Sequence, residues 1–275
     1  MSTLRKSARI CWRVPGMEDA VLFNCAYNHE FIPHSHDAIT LLTVTAGAVE
    51  LDIGHKKYIA RAGDMSVVGA HQIHHSRPLT SDGWRMRSMQ IPSALLAEML
   101  GRPCRDIERT HFSRPVQVDP KTSSSFLDLH HCAEDQSISS RDLRSFVNDL
   151  YRNIDIYGPT YWDACSSDNR IEAAQRLLID PDKNTMEVNE IAEELGISIF
   201  VLIRRFKNIF GLPPCAWRMQ ARANEAARLL RERRQPAEAA IISGFSDQPH
   251  MSRTFKKVFG ITPGQYSMMH AEALA

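Results

Sequence analysis

GISIFVLIRRFKNIFG, residues 196–211, and GFSDQPHMSRTFKKVFG, residues 244–260, share one layout. Each begins with glycine, an apolar residue and serine, continues as a basic amphipathic run, and ends in Phe-Lys followed by Phe-Gly. The repeat extends beyond these stretches: Ala192 recurs as Ala240, 48 residues later, and Pro214 recurs as Pro263, 49 residues later. This internal repeat is the strongest pattern in the chain, and it predicts two similar structural units.

The residue types of each unit predict a helix-turn-helix. The glycine suits the turn, because it adopts backbone conformations that residues with a Cβ avoid. Ser198 and Ser246 are predicted to cap the second helix of each unit by accepting hydrogen bonds from its first amides. Phe206 and Phe255 are predicted to lie on the buried face. The second helix of such a unit enters the major groove of DNA; the alternative is a pair of repeated helical hairpins with no ligand.

From residue 170 to residue 270 the sequence resembles the DNA-binding domain of the AraC/XylS family of bacterial transcription regulators. The matching segments are GFSDQ, RTFKKVFGITPGQY and, on the connecting helix, RANEAARLL. The resemblance implies two recognition helices in successive major grooves on one face of the duplex, about one helical turn or ~34 Å apart. It also implies double-stranded DNA and RNA polymerase as partners.

Seven positions are expected by this resemblance to face the base pairs: Phe200, Ile203, Arg204, Gln248, Pro249, Ser252 and Arg253. The two arginines suit guanine and the glutamine suits adenine. Phe200 and Ile203 are less polar than is usual in the family; they could contact thymine methyl groups, or they could be core or inter-helix residues. For Arg253 the alternatives are a phosphate contact or an ion pair within the domain. Pro249 is tolerated in a first helical turn.

Four further basic residues are interpreted as phosphate contacts or solvated surface: Arg205, Lys207, Lys256 and Lys257. Phosphate contacts position a protein on DNA without specifying the sequence. Between Ile197 and Asn208 no acidic residue accompanies the basic ones. The net charge of the whole chain is only +1, which argues against a simple polycationic nucleic-acid binder.

Residues from about 20 to 92 are rich in short runs of Val, Ile, Leu and Thr punctuated by glycine, which is typical of antiparallel strands. The segments HSHDAITLLTVTAG and GDMSVVGAHQIHH resemble a cupin barrel, the sensor that often precedes the DNA-binding domain in this family. The expected effector pocket comprises His34, His36, Thr40 and His74. Thr40 stands near the place where a metal-binding cupin has glutamate.

Three interpretations of the imidazoles remain open. They pack or form hydrogen bonds inside the barrel, they line a pocket for an organic effector, or His34, His36 and His74 bind Zn²⁺ or a similar ion. The missing carboxylate favours the first two, so no metal and no other cofactor is expected. The pair His130-His131, on a predicted helix, is expected to be exposed or to belong to an interface.

Two helices are predicted between residues 123 and 151. Their apolar stripe, Leu143, Phe146, Val147 and Leu150, recurs at helical spacing. It either forms the seam of a homodimer or packs on its own barrel. The stretch 155–169 reads as a linker, so the expected domains are 1–154, a ligand-sensing and dimerisation domain, and 170–275, the DNA-binding domain.

The remaining features exclude several functions. No apolar run approaches the ~18 residues of a membrane span, and the N-terminus lacks the apolar region of a secretory signal. The six cysteines contain no C-x-x-C pair, which is typical of free thiols in a reducing compartment. No nucleophile elbow or phosphate-binding glycine loop is present.

The prediction is therefore an α+β multidomain protein: a cupin-like β-barrel with following helices, then an all-α domain with two helix-turn-helix motifs. We expect a cytoplasmic, non-enzymatic transcription regulator controlled by a small-molecule effector. One alternative is a metal-dependent cupin enzyme fused to a DNA-binding module. Another is a DNA-binding protein whose barrel is only a dimerisation scaffold.

Overall fold

The structure, a computed structural model, describes residues 9–28, 30–53, 56–108, 110–112, 115–116, 119–154, 156–157, 169–180 and 186–271. Contacts divide the chain near Pro159 into two compact units, formed by the bulk of the residues on either side of that point. The division falls inside the expected linker 155–169, of which only residues 156, 157 and 169 are described.

The N-terminal unit is built on an antiparallel sheet, as the alternating Val, Ile and Thr runs predict. Its strands are β1 (Arg9–Val14), β2 (Met17–Tyr27), β3 (Ala38–Ile53), β4 (Lys56–Arg61), β5 (Met65–Val68), β6 (His74–Pro78) and β7 (Trp84–Pro92). Strand β3 is central: its first half pairs with β5 and β7, and its second half pairs with β4 and β6. The β3–β7 register shifts between Val44 and Ala46, which is the kind of irregularity that bends a strand.

Four helices follow the sheet: α1 (Ser93–Leu100), α2 (Cys104–Glu108), α3 (Pro120–Glu134) and α4 (Ser140–Asn153). A short pair, β8 (His111–Phe112) and β9 (Ile156–Tyr157), is antiparallel. The two helices predicted within 123–151 are thus confirmed. Capping is complete at α4, where Ser139 accepts from the Asp142 amide and the Asp142 carboxylate accepts from the Ser139 amide, as in a capping box.

The apolar stripe of α4 lies in the core of its own unit. Leu143, Phe146, Val147 and Leu150 are all buried and share one cluster with residues of the sheet such as Leu41. Of the two interpretations of this stripe, the structure shows packing within the unit. The burial accounts for the helical spacing, because an amphipathic helix places one face against the core.

The pair His130-His131, expected to be exposed or to belong to an interface, is divided: His131 is exposed, but His130 of α3 is fully buried inside its own unit, so the expectation was wrong for His130. It lies one turn beyond Phe126, and the two rings meet edge to face with centroids 4.8 Å apart. Neither ring nitrogen has a hydrogen bond of normal geometry to a described residue. The pKa of His130 is lowered to about 3: burial lowers it most, the charges of Arg87 and His131 lower it as well, and a weak contact with the Ser88 backbone acts in the opposite direction.

This burial predicts an acid-sensitive N-terminal unit. The unfolded chain binds a proton at His130 near pH 6.5, whereas the folded chain binds it only near pH 3. Stability is therefore complete above pH 6.5 and falls as the pH falls through that window, by about 1.4 kcal/mol per pH unit at most. In urea unfolding, His130→Leu is expected to lose less stability than wild type between about pH 7 and about pH 5.

The exposed neighbour His131 supplies the matched control. His131→Leu makes the same substitution at an exposed position of the same helix, so it is expected not to reproduce the effect of His130→Leu. Equal pH dependence in wild type and His130→Leu would show that His130 does not contribute to acid sensitivity.

The C-terminal unit is all helical in the part that is described. Its helices are α5 (Asn169–Ile179), α6 (Val188–Glu194), α7 (Ile199–Phe210), α8 (Pro214–Arg231), α9 (Pro236–Ile242), α10 (Gln248–Phe259) and α11 (Pro263–Ala271). Two apolar clusters correspond to the two halves of the sequence repeat. The predicted core residues Phe206 and Phe255 are each 0% exposed.

No helix among the described residues is long and apolar enough to cross a membrane. Among the cysteines that the structure describes, Cys104, Cys132 and Cys215 are free thiols.

Candidate nucleic-acid interface and ligand site

The first helix-turn-helix consists of α6, a turn and α7. Gly196 occupies the turn with φ +64°, a left-handed conformation that favours glycine. The Ser198 hydroxyl accepts a hydrogen bond from the Val201 amide at 3.3 Å, which confirms it as the cap of α7. The helix ends at Gly211, again with positive φ. These features fix the start, direction and end of α7.

The second helix-turn-helix consists of α9, a turn and α10, and its cap differs from the prediction. Asp247, not Ser246, caps α10: its Oδ1 accepts from the His250 amide at 2.6 Å. The Ser246 hydroxyl instead lies 3.1 Å from Nδ1 of His250. The prediction for Ser246 was wrong because this turn contains one residue more than the first.

The extra residue lies in the turn, so the two recognition helices match in length. Both α7 and α10 have 12 residues, and each ends at a glycine with left-handed backbone. Counted from the caps, equivalent residues of the two helices are 49 apart in sequence. The equivalent pairs that follow are Phe200 with Pro249, Ile203 with Ser252, and Arg204 with Arg253.

The predicted base-reading side chains lie at the surface of these helices. Phe200 is 81% exposed and Ile203 is 38% exposed, which removes both from the core of the unit as described. Arg204, Gln248, Pro249 and Arg253 are exposed, and Ser252 is half-buried. Neither Arg204 nor Arg253 forms an ion pair with any residue the structure describes, so no ion pair within the described part of the unit holds Arg253.

Along α7 and α10, buried residues are interspersed with these exposed ones. Leu202 and Phe206 in α7 correspond to Met251 and Phe255 in α10, and all four are 0% exposed. The predicted phosphate-contacting residues, Arg205, Lys207, Lys256 and Lys257, are all exposed. Each recognition helix therefore presents one apolar face to its own unit and one basic face to solvent, and in α7 the solvent face also carries Phe200 and Ile203.

A second candidate site gathers the predicted pocket histidines. Ligand atoms of His34, His36 and His74 all lie within 4.8 Å of one another. Nδ1 of His34 lies 2.7 Å from the Ile32 carbonyl, and Nδ1 of His74 lies 2.9 Å from the Gln72 carbonyl. Since a carbonyl only accepts, these Nδ1 atoms carry hydrogen, and the lone pair of each neutral ring lies on Nε2.

Two of the three imidazoles are buried, and burial keeps that of His74 uncharged near neutral pH. His34 is 6% exposed and His74 is 9% exposed. Burial lowers the pKa of His74 to about 4; the Gln72 backbone opposes this and His75 adds to it. A neutral imidazole with its Nδ1–H held by a carbonyl is the form that binds a metal ion or accepts a hydrogen bond. The donor set therefore fits a zinc-type cation as well as a polar organic group.

Thr40, the fourth predicted pocket residue, is buried on β3 at 7% exposure. Its hydroxyl has no hydrogen-bond partner among the described residues. A buried hydroxyl without a partner costs free energy unless a ligand or water satisfies it. Thr40 belongs to the site by the sequence prediction alone.

A further cluster in the N-terminal unit has no signature in the sequence. Asp37, His71 and Glu108, from three separate segments, also bring ligand atoms within 4.8 Å of one another. Nε2 of His71 lies 3.4 Å from the Asp37 carboxylate. Burial lowers the pKa of His71, but Asp37 and Glu108 outweigh it and the pKa is raised. An ion pair explains this arrangement.

Comparison with protein families divides the chain in the same way. Residues 20–147 match the family described as AraC-like ligand binding domain. Residues 191–269 match a family described as helix-turn-helix domain. The two matches together span most of the chain.

Two of the curated relatives match over most of their length. The arabinose operon regulatory protein of Escherichia coli is 25% identical over 233 residues, which cover 82% of this chain and 78% of the relative. An uncharacterized HTH-type transcriptional regulator of Bacillus subtilis, YbfI, is 23% identical over 81% of this chain and 82% of its own. The transcriptional activator NphR of a Rhodococcus species is 36% identical, but over only 30% of this chain and 25% of its own.

Among solved structures, unsaturated fatty acid bound ToxT from Vibrio cholerae is similar, with a TM-score of 0.55. The match covers 99% of both chains at 14% sequence identity. At this identity the likeness concerns the fold alone: an N-terminal cupin-like β-domain followed by a helical domain.

Proposed function

Because the chain belongs to the AraC family of transcriptional regulators, we propose that α7 and α10 are its DNA-reading helices and that its N-terminal imidazole cluster holds the effector. The protein is a DNA-binding transcriptional regulator with a ligand-binding domain. The observation that carries the proposal is the pair of equal-length recognition helices, each with an exposed basic face and a matching arginine.

The base-reading set we propose is Phe200, Ile203, Arg204, Gln248, Pro249, Ser252 and Arg253. Exposure of these side chains supports it, since a side chain must reach the groove to read a base edge. The exposed lysines and Arg205 are proposed to contact phosphates. Such contacts make affinity fall steeply with salt concentration.

The direct test is enrichment of fragmented genomic DNA from the source organism by the purified full-length chain. We expect short sites with two boxes about one helical turn apart. Enrichment should weaken as the salt concentration rises, because counterions are released from contacted phosphates. A chain that enriches no DNA sequence, with or without added metabolites, would contradict the proposal.

The proposed effector site comprises His34, His36, Thr40 and His74. Convergence of the imidazoles and the Nδ1 contacts of His34 and His74 support this site. A divalent cation of the zinc type, when bound, would supply an electrophilic centre for an oxygen or nitrogen of a further ligand. We infer that effector binding shifts the population between two arrangements of the regulator, as differential affinity requires.

Ligand-dependent unfolding tests the effector site. After chelator treatment, Zn²⁺ at about 100 times its Kd is expected to stabilise the wild-type chain by about 2.7 kcal/mol, and His74→Ala is expected to abolish the shift. His75→Ala is the matched control, because His75 is next in sequence but contacts Glu30 at 2.7 Å. If only a metabolite gives the His74-dependent shift, the effector is organic; if neither ligand does, the site is wrong.

The remaining functional assignments extend the same proposal. We propose no catalytic role, a cytoplasmic location beside the DNA, and RNA polymerase as a partner. The domains are proposed as 1–154 and 170–275 with the linker 155–169. A homodimer through the helices within 123–151 would use their exposed, mainly polar side chains, since the apolar stripe of α4 is already buried.

A further inference from the structure

The two recognition helices differ in chemistry at equivalent positions. In α7 the positions two and five residues after the cap are Phe200 and Ile203; in α10 they are Pro249 and Ser252. The arginine that follows is shared. One helix therefore presents two large apolar side chains beside its arginine, whereas the other presents a hydroxyl and, from Gln248, an amide.

Phe200 and Ile203 form one patch on the surface of α7. They are three residues apart in a helix, a spacing that places side chains next to each other on one face. Both are exposed, and Phe200 at 81% is the more exposed of the two. The neighbouring buried residues, Leu202 and Phe206, point into the apolar cluster of the unit. The patch therefore lies outside the core.

The surroundings of the patch indicate that it meets DNA. Arg204 and Lys207 are exposed on the same helix, and α7 contains no acidic residue. A basic surface around the patch is complementary to the phosphates of a duplex. An apolar patch placed inside such a surface would contact the floor of the major groove.

The major groove offers one apolar group, the C5-methyl of thymine. The edges of guanine, cytosine and adenine expose hydrogen-bonding groups there, which phenylalanine and isoleucine cannot satisfy. Burying such groups without partners is unfavourable. Resting on the proposed function, we propose that α7 selects thymine through its methyl group at the bases facing Phe200 and Ile203, whereas α10 reads its box by hydrogen bonds.

The experiment begins with selection of sequences from a random duplex library by the wild-type full-length chain. Selected duplexes are then resynthesised with deoxyuridine for thymidine in one box at a time, which removes the methyl and leaves the pairing edge unchanged. Each buried methyl is worth about fourfold in Kd, so loss of two is expected to weaken binding roughly 15-fold.

The double variant Phe200→Ala/Ile203→Ala completes a double-mutant cycle, in which the side chains and the thymine methyl groups are removed separately and together. In this variant, removing the methyl groups from the sensitive box is expected to change Kd less than twofold. Ser252→Ala in α10 is the matched control, and it should retain the full effect of deoxyuridine. Circular dichroism of the double variant should equal that of wild type, because neither side chain lies in the core.

Two results separate the inference from the function on which it rests. If the wild-type chain selects two boxes but deoxyuridine changes binding in neither, or changes it equally in the double variant, methyl recognition by α7 is wrong while the DNA-binding function stands. If the wild-type chain selects no sequence, the proposed function and this inference fail together.

Discussion

Phe206→Ala is expected to destabilise the C-terminal unit by about 3–5 kcal/mol, the usual cost of truncating a fully buried phenylalanine. The Phe206 ring is 0% exposed. Its centroid lies 4.5 Å from that of Phe210 and 5.9 Å from that of Trp217, so removal leaves a cavity lined by aromatic rings. Urea unfolding of the full-length chain, followed by far-ultraviolet circular dichroism, measures the change.

Phe200→Ala on the same helix is the matched control. It removes the same atoms from a side chain that is 81% exposed, so the expected change in stability is within about 0.5 kcal/mol. For DNA binding the expected order is reversed. Phe200→Ala is expected to weaken binding more than Phe206→Ala, because Phe200 is the proposed contact. A large loss of stability in Phe200→Ala, or none in Phe206→Ala, would contradict the assignment of the buried and exposed faces of α7.

Arg253→Ala is expected to weaken binding to a selected DNA site by about 5- to 150-fold, because a bidentate arginine–guanine contact contributes about 1–3 kcal/mol of discrimination. Arg253 is exposed and has no ion-pair partner among the described residues. Its loss should therefore affect DNA binding and leave folding intact. Fluorescence anisotropy with a labelled duplex measures Kd, and thermal unfolding checks the fold.

The controls for Arg253→Ala separate base reading from charge. Arg152→Ala removes the same charge from α4, where Arg152 is 77% exposed and paired with Asp149, and it should leave Kd unchanged. Lys256→Ala, a proposed phosphate contact, should weaken binding to all sequences alike and reduce the salt dependence. An Arg253→Ala effect that is equally large on unrelated DNA would make Arg253 a phosphate contact.

Local sequence patterns sufficed for much of the fold. The repeat predicted both helix-turn-helix units, because glycine turns, serine or aspartate caps and buried phenylalanines act over a few residues. The strand-rich character of residues 20–92 followed from β-branched residues and glycine spacing in the same way. The single extra residue in the second turn was visible as a change of offset from 48 to 49, but the sequence did not show that Asp247 takes over the cap.

Features that depend on distant contacts were not predictable from one sequence. His130 reads as a polar residue on an amphipathic helix, and only its position against Phe126 and the sheet buries it. The exposed Asp37–His71–Glu108 cluster joins three segments that no local pattern connects. The sequence identified His34, His36 and His74 as candidates, but it did not show that their ligand atoms converge. Convergence depends on where the loop before β3 meets β6.

The central claim is that α7 and α10 read two separate boxes on one face of a duplex. Hydroxyl-radical footprinting of a selected duplex by the full-length chain tests it, with wild type beside Arg204→Ala and Arg253→Ala. We expect two protected boxes about 34 Å apart, with Arg204→Ala weakening protection of one and Arg253→Ala weakening the other. A single protected box, or two variants that weaken the same box, would contradict the account.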